Sequence, residues 1–167
     1  MKSALSIIWV VVSCWVVSQT NAQQCTMNLP LSGGSGGGAF SDADFVSKGL
    51  ITKVQLECGP FFTSIKVRYG TTWAPKHGWG QSNCDNWWKR GSMKEYTLGA
   101  NEYITGAIVS HGKYINSVTL TTNKKSFDKC GSGQGTTDTI INGRRVMYFK
   151  GRSGCIVDAF QLYGPTW

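Results

Sequence analysis

The sequence predicts an all-β domain built from three related units. Between residues 50 and 163 the apolar and polar residues alternate in short runs rich in Val, Ile, Thr, Tyr and Phe, and no segment there carries a helical period. One pattern also recurs three times, at residues 62–69, 115–122 and 157–163, each time after a glycine by the same step: Gly59, Gly112 and Gly154. The fourth residue after that glycine is Thr63, Asn116 and Asp158 in turn. Taken at face value, three β units close around a pseudo-threefold axis with hairpin turns in equivalent places, and only the third turn bears a carboxylate.

Taken in order, Lys2, the apolar run 4–17 and the small residue Ala22 have the form of a secretory signal peptide, residues 1–22, with Gln23 expected at the mature N-terminus. The run is too short to span a bilayer, and no membrane span is expected. Residues 23–35 form a short polar tail holding Cys25 and Pro30, and residues 36–167 form one domain. The glycine-rich run 33–38 reads either as a flexible linker or as a loop whose missing side chains allow close backbone approach to a ligand; Phe40 behind it is expected to anchor it to the core.

Residues 51–58 alternate as a half-buried strand, Gly59-Pro60 turns the chain, and 61–69 alternates again. Residues 71–93, with His77 and the pair Trp87-Trp88, read as a long connection, and 96–98 as a short strand. A hairpin is expected from 103–110 and 113–122 around His111-Gly112, followed by a Gly/Ser/Thr-rich loop from Cys130 to Thr139. The last hairpin joins the run 146–149 to 159–164.

Seventeen Lys and Arg face nine Asp and Glu, a formal net charge of +8. That favours anionic partners such as sulfated glycans, while the leader and the scattered placement of the basic residues argue against nucleic acid. Beyond Cys14 in the leader, Cys25, Cys58, Cys84, Cys130 and Cys155 should mostly pair in an oxidising compartment. Five is odd, so two internal bridges would leave one thiol available to join two chains; the pairing stays open. No Cys-x-x-Cys or His-rich spacing suggests a zinc site, and the carboxylates are too scattered for calcium, so no cofactor or metal is expected.

The stretch with most chemistry is Gly151-Arg152-Ser153-Gly154-Cys155-Ile156-Val157-Asp158. It can offer free backbone N–H groups beside an acceptor-only carboxylate, which suits a ligand rich in hydroxyls; equally, the Asp can cap its own turn. An enzyme is not expected. The stretch is not a Gly-x-Ser-x-Gly elbow, His77 and His111 fall in different segments, and Asp158 has no facing carboxylate for glycoside hydrolysis.

Together, Gly36-Gly37-Gly38-Ala39-Phe40-Ser41, Ile51-Thr52-Lys53-Val54, Ile65-Lys66-Val67-Arg68-Tyr69-Gly70 with Trp73, Glu102-Tyr103-Ile104, and Gly151 to Gly154 through Asp158-Ala159-Phe160 resemble the jacalin-related lectins, and within them the animal secretory branch typified by the zymogen granule lectin. The resemblance spans residues 36–167 and implies a β-prism of three four-stranded antiparallel sheets, a metal-free sugar site, and a secreted, extracellular, non-enzymatic protein. It implies that Asp158 accepts from two sugar hydroxyls and that the N–H groups of Cys155 and Ile156, next to Ser153 and Gly154, donate to the same oxygens. A glycine among Gly36, Gly37 and Gly38 would close one side, and Lys113 and Tyr114 would form a variable wall. Cys155 departs from the usual residue there, and a disulfide at it would stiffen or partly block the loop.

In the family, galactose preference accompanies a chain cut that frees an amine at the glycine loop. Here the chain runs on, so mannose/glucose-type glycans are expected, with galactose the alternative. The rival class is a secreted matrix or biomineral-associated protein that binds acidic polysaccharide by charge. Charge-assisted hydrogen bonds of about 1.5–3 kcal/mol, offset by desolvation, predict about millimolar affinity for one monosaccharide. A homodimer or larger assembly, disulfide-linked through the odd cysteine, would supply avidity. The Gly112…Asn116 turn is a weaker second candidate, since Asn lacks the charge.

Overall fold

A computed structural model describes residues 26–28, 31–78, 84, 91–141 and 143–165. The expected leader, Cys25 and the Trp87-Trp88 pair lie outside the described residues. Among the described residues thirteen strands follow in chain order: β1 (Thr26–Asn28), β2 (Ser32–Gly33), β3 (Gly38–Ser41), β4 (Ile51–Cys58), β5 (Phe62–Tyr69), β6 (Thr72–Trp73), β7 (His77–Gly78), β8 (Ser92–Thr97), β9 (Ile104–His111), β10 (Ile115–Thr122), β11 (Thr136–Ile141), β12 (Tyr148–Ser153) and β13 (Val157–Pro165). One 3₁₀ turn, Ala43–Lys48, interrupts them. Among the described residues no helix is long and apolar enough to cross a membrane.

The strands form three antiparallel sheets with one common plan. In the first, β13 pairs with β12 and β12 with β3, while β1 and β2 share the other edge of β13. In the second, β5 pairs with β4 and β4 with β8, while β6 and β7 share the edge of β5. In the third, β10 pairs with β9 and β9 with β11, and isolated bridges from Ser126 and Cys130 take the outer edge of β10. Each sheet thus has four strand positions, the outermost one broken.

The repeat seen in sequence is this plan. Its three segments begin β5, β10 and β13, the second strands of three hairpins. In all three turns the glycine N–H donates to the carbonyl two residues on: Gly59 to Phe61 (3.1 Å), Gly112 to Tyr114 (3.0 Å) and Gly154 to Ile156 (3.0 Å). Register shifts fall beside the same turns, between Glu57 and Cys58, Ile115 and Ser117, and Arg152 and Ser153. The inward residues form one core. Val54, Leu56, Ile65 and Val67 of the second sheet meet Ala107, Val109, Val118 and Leu120 of the third and Phe149, Phe160 and Leu162 of the first. Phe62 meets Phe160 edge-on across the sheet boundary, with ring centroids 5.8 Å apart.

Two expectations change. Residues 136–139, expected as loop, lie in β11, paired with β9 from Thr136↔His111 to Ile141↔Gly106. The alternation is hidden because the position where an apolar residue would face inward holds Asp138. Its Oδ2 accepts from Ser32 Oγ (2.6 Å) and pairs with His111 Nε2 (2.9 Å). The stretch expected as a tail contributes β1 and β2 to the first sheet. Main-chain pairing, which needs no apolar pattern, places it there.

Of the cysteines, Cys58 bonds Cys130 and Cys84 bonds Cys155.

Candidate functional site

At the hairpin end of the molecule a second threefold pattern appears. Gly33, Gly78 and Gly131 adopt left-handed φ values of 115°, 98° and 92°. Each lies so close to the carbonyl of Asp158, Thr63 and Asn116 respectively that any side chain would overlap it. Each sheet therefore presents a glycine loop packed on its own hairpin. Each loop also touches the hairpin of a neighbouring unit. Cys84 is bonded to Cys155, Cys130 to Cys58, and Gly34 packs on the Lys113 carbonyl. Loops and hairpins close a ring, two junctions covalent and the third made by backbone contact.

Asp158 occupies the carboxylate-bearing corner of this ring. It is the second residue of β13 and only 4 % exposed. Its Oδ2 accepts from the Gly154 N–H at 2.9 Å, while Oδ1 accepts no hydrogen bond among the described residues. Oδ1 instead faces Gly36, and Oδ2 also faces Gly37, with no room for a Cβ at either glycine. Arg152 braces this loop, its Nε donating to the Gly36 carbonyl (2.8 Å) and Nη2 to that of Gly37 (2.6 Å). Gly34 N–H donates to the Asp158 carbonyl at 2.9 Å. Burial raises the Asp158 carboxyl above the usual Asp value, opposed by the Gly154 N–H and by the charges of Arg152 and Lys113.

The sequence-derived residues fall into two groups. Gly36, Gly37, Gly154 and Asp158 converge on one carboxylate, with Cys155 in the adjoining turn and the Lys113 charge close enough to act on it. Gly38 is one step removed, paired with Ser153 at the edge of the first sheet, and the Ser153 and Ile156 side chains are buried. Tyr114 meets Phe61 edge-on at 6.2 Å and lies beneath Lys113 Nζ at 5.5 Å. Phe40 is half-buried rather than in the core. It stacks on His77 (3.9 Å, 11°), whose Nε2 contacts the fully buried Asp42 at 2.7 Å.

The equivalent corners differ. Asn116 Nδ2 donates to the Gln134 carbonyl (2.7 Å) inside the Gly131–Gly135 loop, and Thr63 Oγ1 to the Phe61 carbonyl (3.3 Å). Thr63 serves its own turn, and Asn116 ties its turn to the glycine loop of the same sheet. Arg152 carries no role in the sequence reading; it stands opposite Ala39 on neighbouring strands, within reach of the glycine carbonyls. The Asp138–His111–Ser32 cluster, which fixes the entry to the glycine loop, carried no spacing signal at all. Among the described residues no group of three or more His, Cys, Asp and Glu could hold a metal. The corner can accept hydroxyl protons at one carboxylate oxygen.

The profile of the jacalin-like lectin domain matches residues 29–163. Jacalin-related lectin 19 of Arabidopsis thaliana is 31% identical over 140 residues, covering 80% of this chain and 78% of that protein. Among solved structures, a mannose-specific jacalin-related lectin from Morus nigra, in complex with mannose, superposes with a TM-score of 0.69 at 25% identity, over 90% of this chain and 100% of that one. An artocarpin–mannotriose complex gives a TM-score of 0.69 at 23% identity, over 88% and 100% of the two chains.

Proposed function

The chain belongs to the jacalin-like lectin domain family, a carbohydrate-binding and non-enzymatic family, and on that premise we propose that it is a secreted, metal-independent lectin for mannose/glucose-type glycans. The observation that carries this is the state of Asp158. One oxygen is held by the Gly154 N–H, and the other accepts no hydrogen bond among the described residues and faces Gly36, whose missing side chain lets the backbone approach it closely. A sugar with vicinal hydroxyls would donate to Oδ1, while the N–H groups of Cys155 and Ile156 donate to its oxygens. Lys113 and Tyr114 would form the wall towards the third sheet. The mannose-bound Morus nigra relative, together with the uncut run of sequence into the glycine loop, is what favours mannose/glucose over galactose in this reading.

Secretion rests on the leader-like N-terminus and on two disulfides, which persist in oxidising compartments. The placement in the animal secretory branch rests on the motif resemblance alone. One shallow site gives about millimolar affinity, so assembly as a dimer or larger is part of the reading; gel filtration with and without reductant reads it.

The test is titration calorimetry with methyl α-mannoside and methyl α-galactoside, with and without EDTA, on the unaltered protein and Asp158→Ala. Chelator-insensitive mannoside binding that is absent from a folded Asp158→Ala supports the proposal. Galactoside preference would favour the alternative sugar. Binding to acidic polysaccharide that ignores free sugars and vanishes with salt would replace the lectin mechanism by charge.

A further inference from the structure

Arg152, Ser110 and Glu57 occupy one place in the threefold plan. Each lies two residues before its hairpin glycine, Gly154, Gly112 or Gly59, and pairs across the hairpin with Ala159, Ser117 or Ser64. Among the described residues, Arg152 alone of the three bonds the main chain of a glycine loop. It stands between Ala39 on β3 and Ala159 on β13, whose small side chains leave the guanidinium free to run over the sheet. Its Nε donates to the Gly36 carbonyl (2.8 Å) and its Nη2 to that of Gly37 (2.6 Å). Glu57 Oε2 instead accepts from Lys76 Nζ (2.7 Å) and Ser64 Oγ (3.1 Å), and Ser110 brings only a short hydroxyl.

The glycine loops of the first and third sheets match residue by residue. Gly33 and Gly131 pack on the main-chain carbonyl of their corner residue, and four residues on Gly37 and Gly135 crowd its side chain, Asp158 in one sheet and Asn116 in the other. Three residues after the first glycine, the matching carbonyls are those of Gly36 and Gln134. In the third sheet the corner residue itself takes this carbonyl, Asn116 Nδ2 donating to Gln134 at 2.7 Å. In the first sheet Arg152 takes it from the outer face. An ionised carboxylate has no proton to donate, so Asp158 cannot make the bond that Asn116 makes, and the loop needs a donor from elsewhere.

We propose that Arg152 is the positioning residue of the sugar corner: it braces the glycine loop from outside, takes over the bond that occupies the corner side chain in the third sheet, and so leaves Asp158 Oδ1 to a sugar hydroxyl. This rests on the lectin reading above. The planar guanidinium holds two successive carbonyls at once, which a lysine ammonium, a point charge on a flexible stem, does not reproduce. A loop held in place only part of the time lowers the apparent affinity by the fraction in which it is held. Arg152 also has an electrostatic effect. Two charges act on the Asp158 carboxyl, Arg152 from β12 and Lys113 from the β9–β10 hairpin, and both oppose the effect of burial.

Arg152→Lys keeps the charge and loses the fork; Arg152→Met loses both. Methyl α-mannoside is titrated into the unaltered protein and each variant from neutral to acid pH, and ¹⁵N relaxation of the Gly36, Gly37, Gly133 and Gly135 amides is measured without sugar. Both variants should bind the mannoside about tenfold more weakly or worse at pH 7. Order should fall at Gly36 and Gly37 and stay unchanged at Gly133 and Gly135. The pH at which affinity is lost on acidification should rise in Arg152→Met and stay in place in Arg152→Lys, a split that loss of packing alone would not produce. Full affinity with unchanged loop order in either folded variant overturns the proposal. Arg152→Lys decides the matter if Arg152→Met fails to fold. Should the unaltered protein ignore the mannoside, the lectin reading fails, and with it the role at the sugar corner, while the relaxation data still show whether Arg152 holds the loop.

Discussion

Cys155 is bonded to Cys84, which places a covalent tie to the β7–β8 connection three residues before Asp158. The other bridge, Cys58–Cys130, ties the equivalent hairpin of the second sheet to the loop of the third. Both close long loops, with separations of 71 and 72 residues, so each should stabilise the fold by a similar amount, about 2–5 kcal/mol. Only the first reaches the proposed sugar corner. Cys84→Ser/Cys155→Ser and Cys58→Ser/Cys130→Ser should therefore show comparable losses in urea denaturation. Mannoside affinity, measured where both pairs remain folded, should fall only in the first. Equal affinity losses would mean that the Cys84 tie has no special bearing on the site.

Glycine is required at Gly37 for two reasons: φ is +61°, and a Cβ would overlap the Ser153 backbone and Asp158 Oδ2. Gly112, in the hairpin of the third sheet, has nothing within 4 Å of a Cβ. Gly37→Ala should remove mannoside binding by displacing the loop from the carboxylate, at a stability cost of about 1–3 kcal/mol. Gly112→Ala should leave affinity within error. Calorimetry with thermal melts of both variants checks this, and an unchanged Gly37→Ala would show that the glycine loop does not shape the site.

The Asp158 carboxyl is raised in the folded protein, first by burial. For an acid raised in this way, the protonated form is favoured by folding. The associated stability is present below the unfolded value and is lost as pH rises through the folded value, so at neutral pH the charged Asp158 is a net cost. Sugar binding runs the other way, since only the carboxylate accepts from two hydroxyls. Mannoside affinity should fall on acidification at a higher pH than an ordinary Asp would set. Asp158→Asn should abolish binding while leaving stability at pH 7 equal or greater. A variant that loses stability as well as binding would point to a structural role for the charge.

The repeat at Thr63, Asn116 and Asp158 was legible because main-chain geometry imposes it: three equivalent turns need a glycine at the same step, and one alternation serves three equivalent strands. The carboxylate corner was legible for the same reason, being the one turn with an acid. What stayed hidden depends on pairs distant in sequence. Asp138 breaks the pattern of β11 because its partners are Ser32 and His111, from other strands. Ser32 and Gly33 look like linker because a two-residue strand bonded to Ala159 and Phe160 needs no apolar side chain. Which cysteines pair follows from loop-to-hairpin contacts around the ring, and spacing along the chain carries no trace of that order.

Behind the glycine strand lies a buried cluster whose energetics can be isolated. Asp42 is fully buried; Oδ1 pairs with His77 Nε2 at 2.7 Å, and Oδ2 accepts the Tyr69 hydroxyl at 3.3 Å. Burial and the adjacent carboxylate push the Tyr69 phenol far above its usual range, so it remains an O–H donor. His77 also carries the Phe40 ring, and so links the end of β3 to the second sheet. Truncating His77 leaves a buried carboxylate with one weak donor, which should cost about 1–3 kcal/mol. Replacing Asp42 by Asn keeps the shape but puts an NH2 donor where an acceptor oxygen stood, leaving one of its two contacts unmatched at about 1–3 kcal/mol. Because the penalty comes chiefly from the unmatched partner, removing both should cost less than the sum of the singles. Urea denaturation of His77→Ala, Asp42→Asn and the double variant forms the cycle. A coupling of about 1 kcal/mol or more is expected, and strict additivity would mean that Asp42 is held by its main-chain setting and Tyr69 alone.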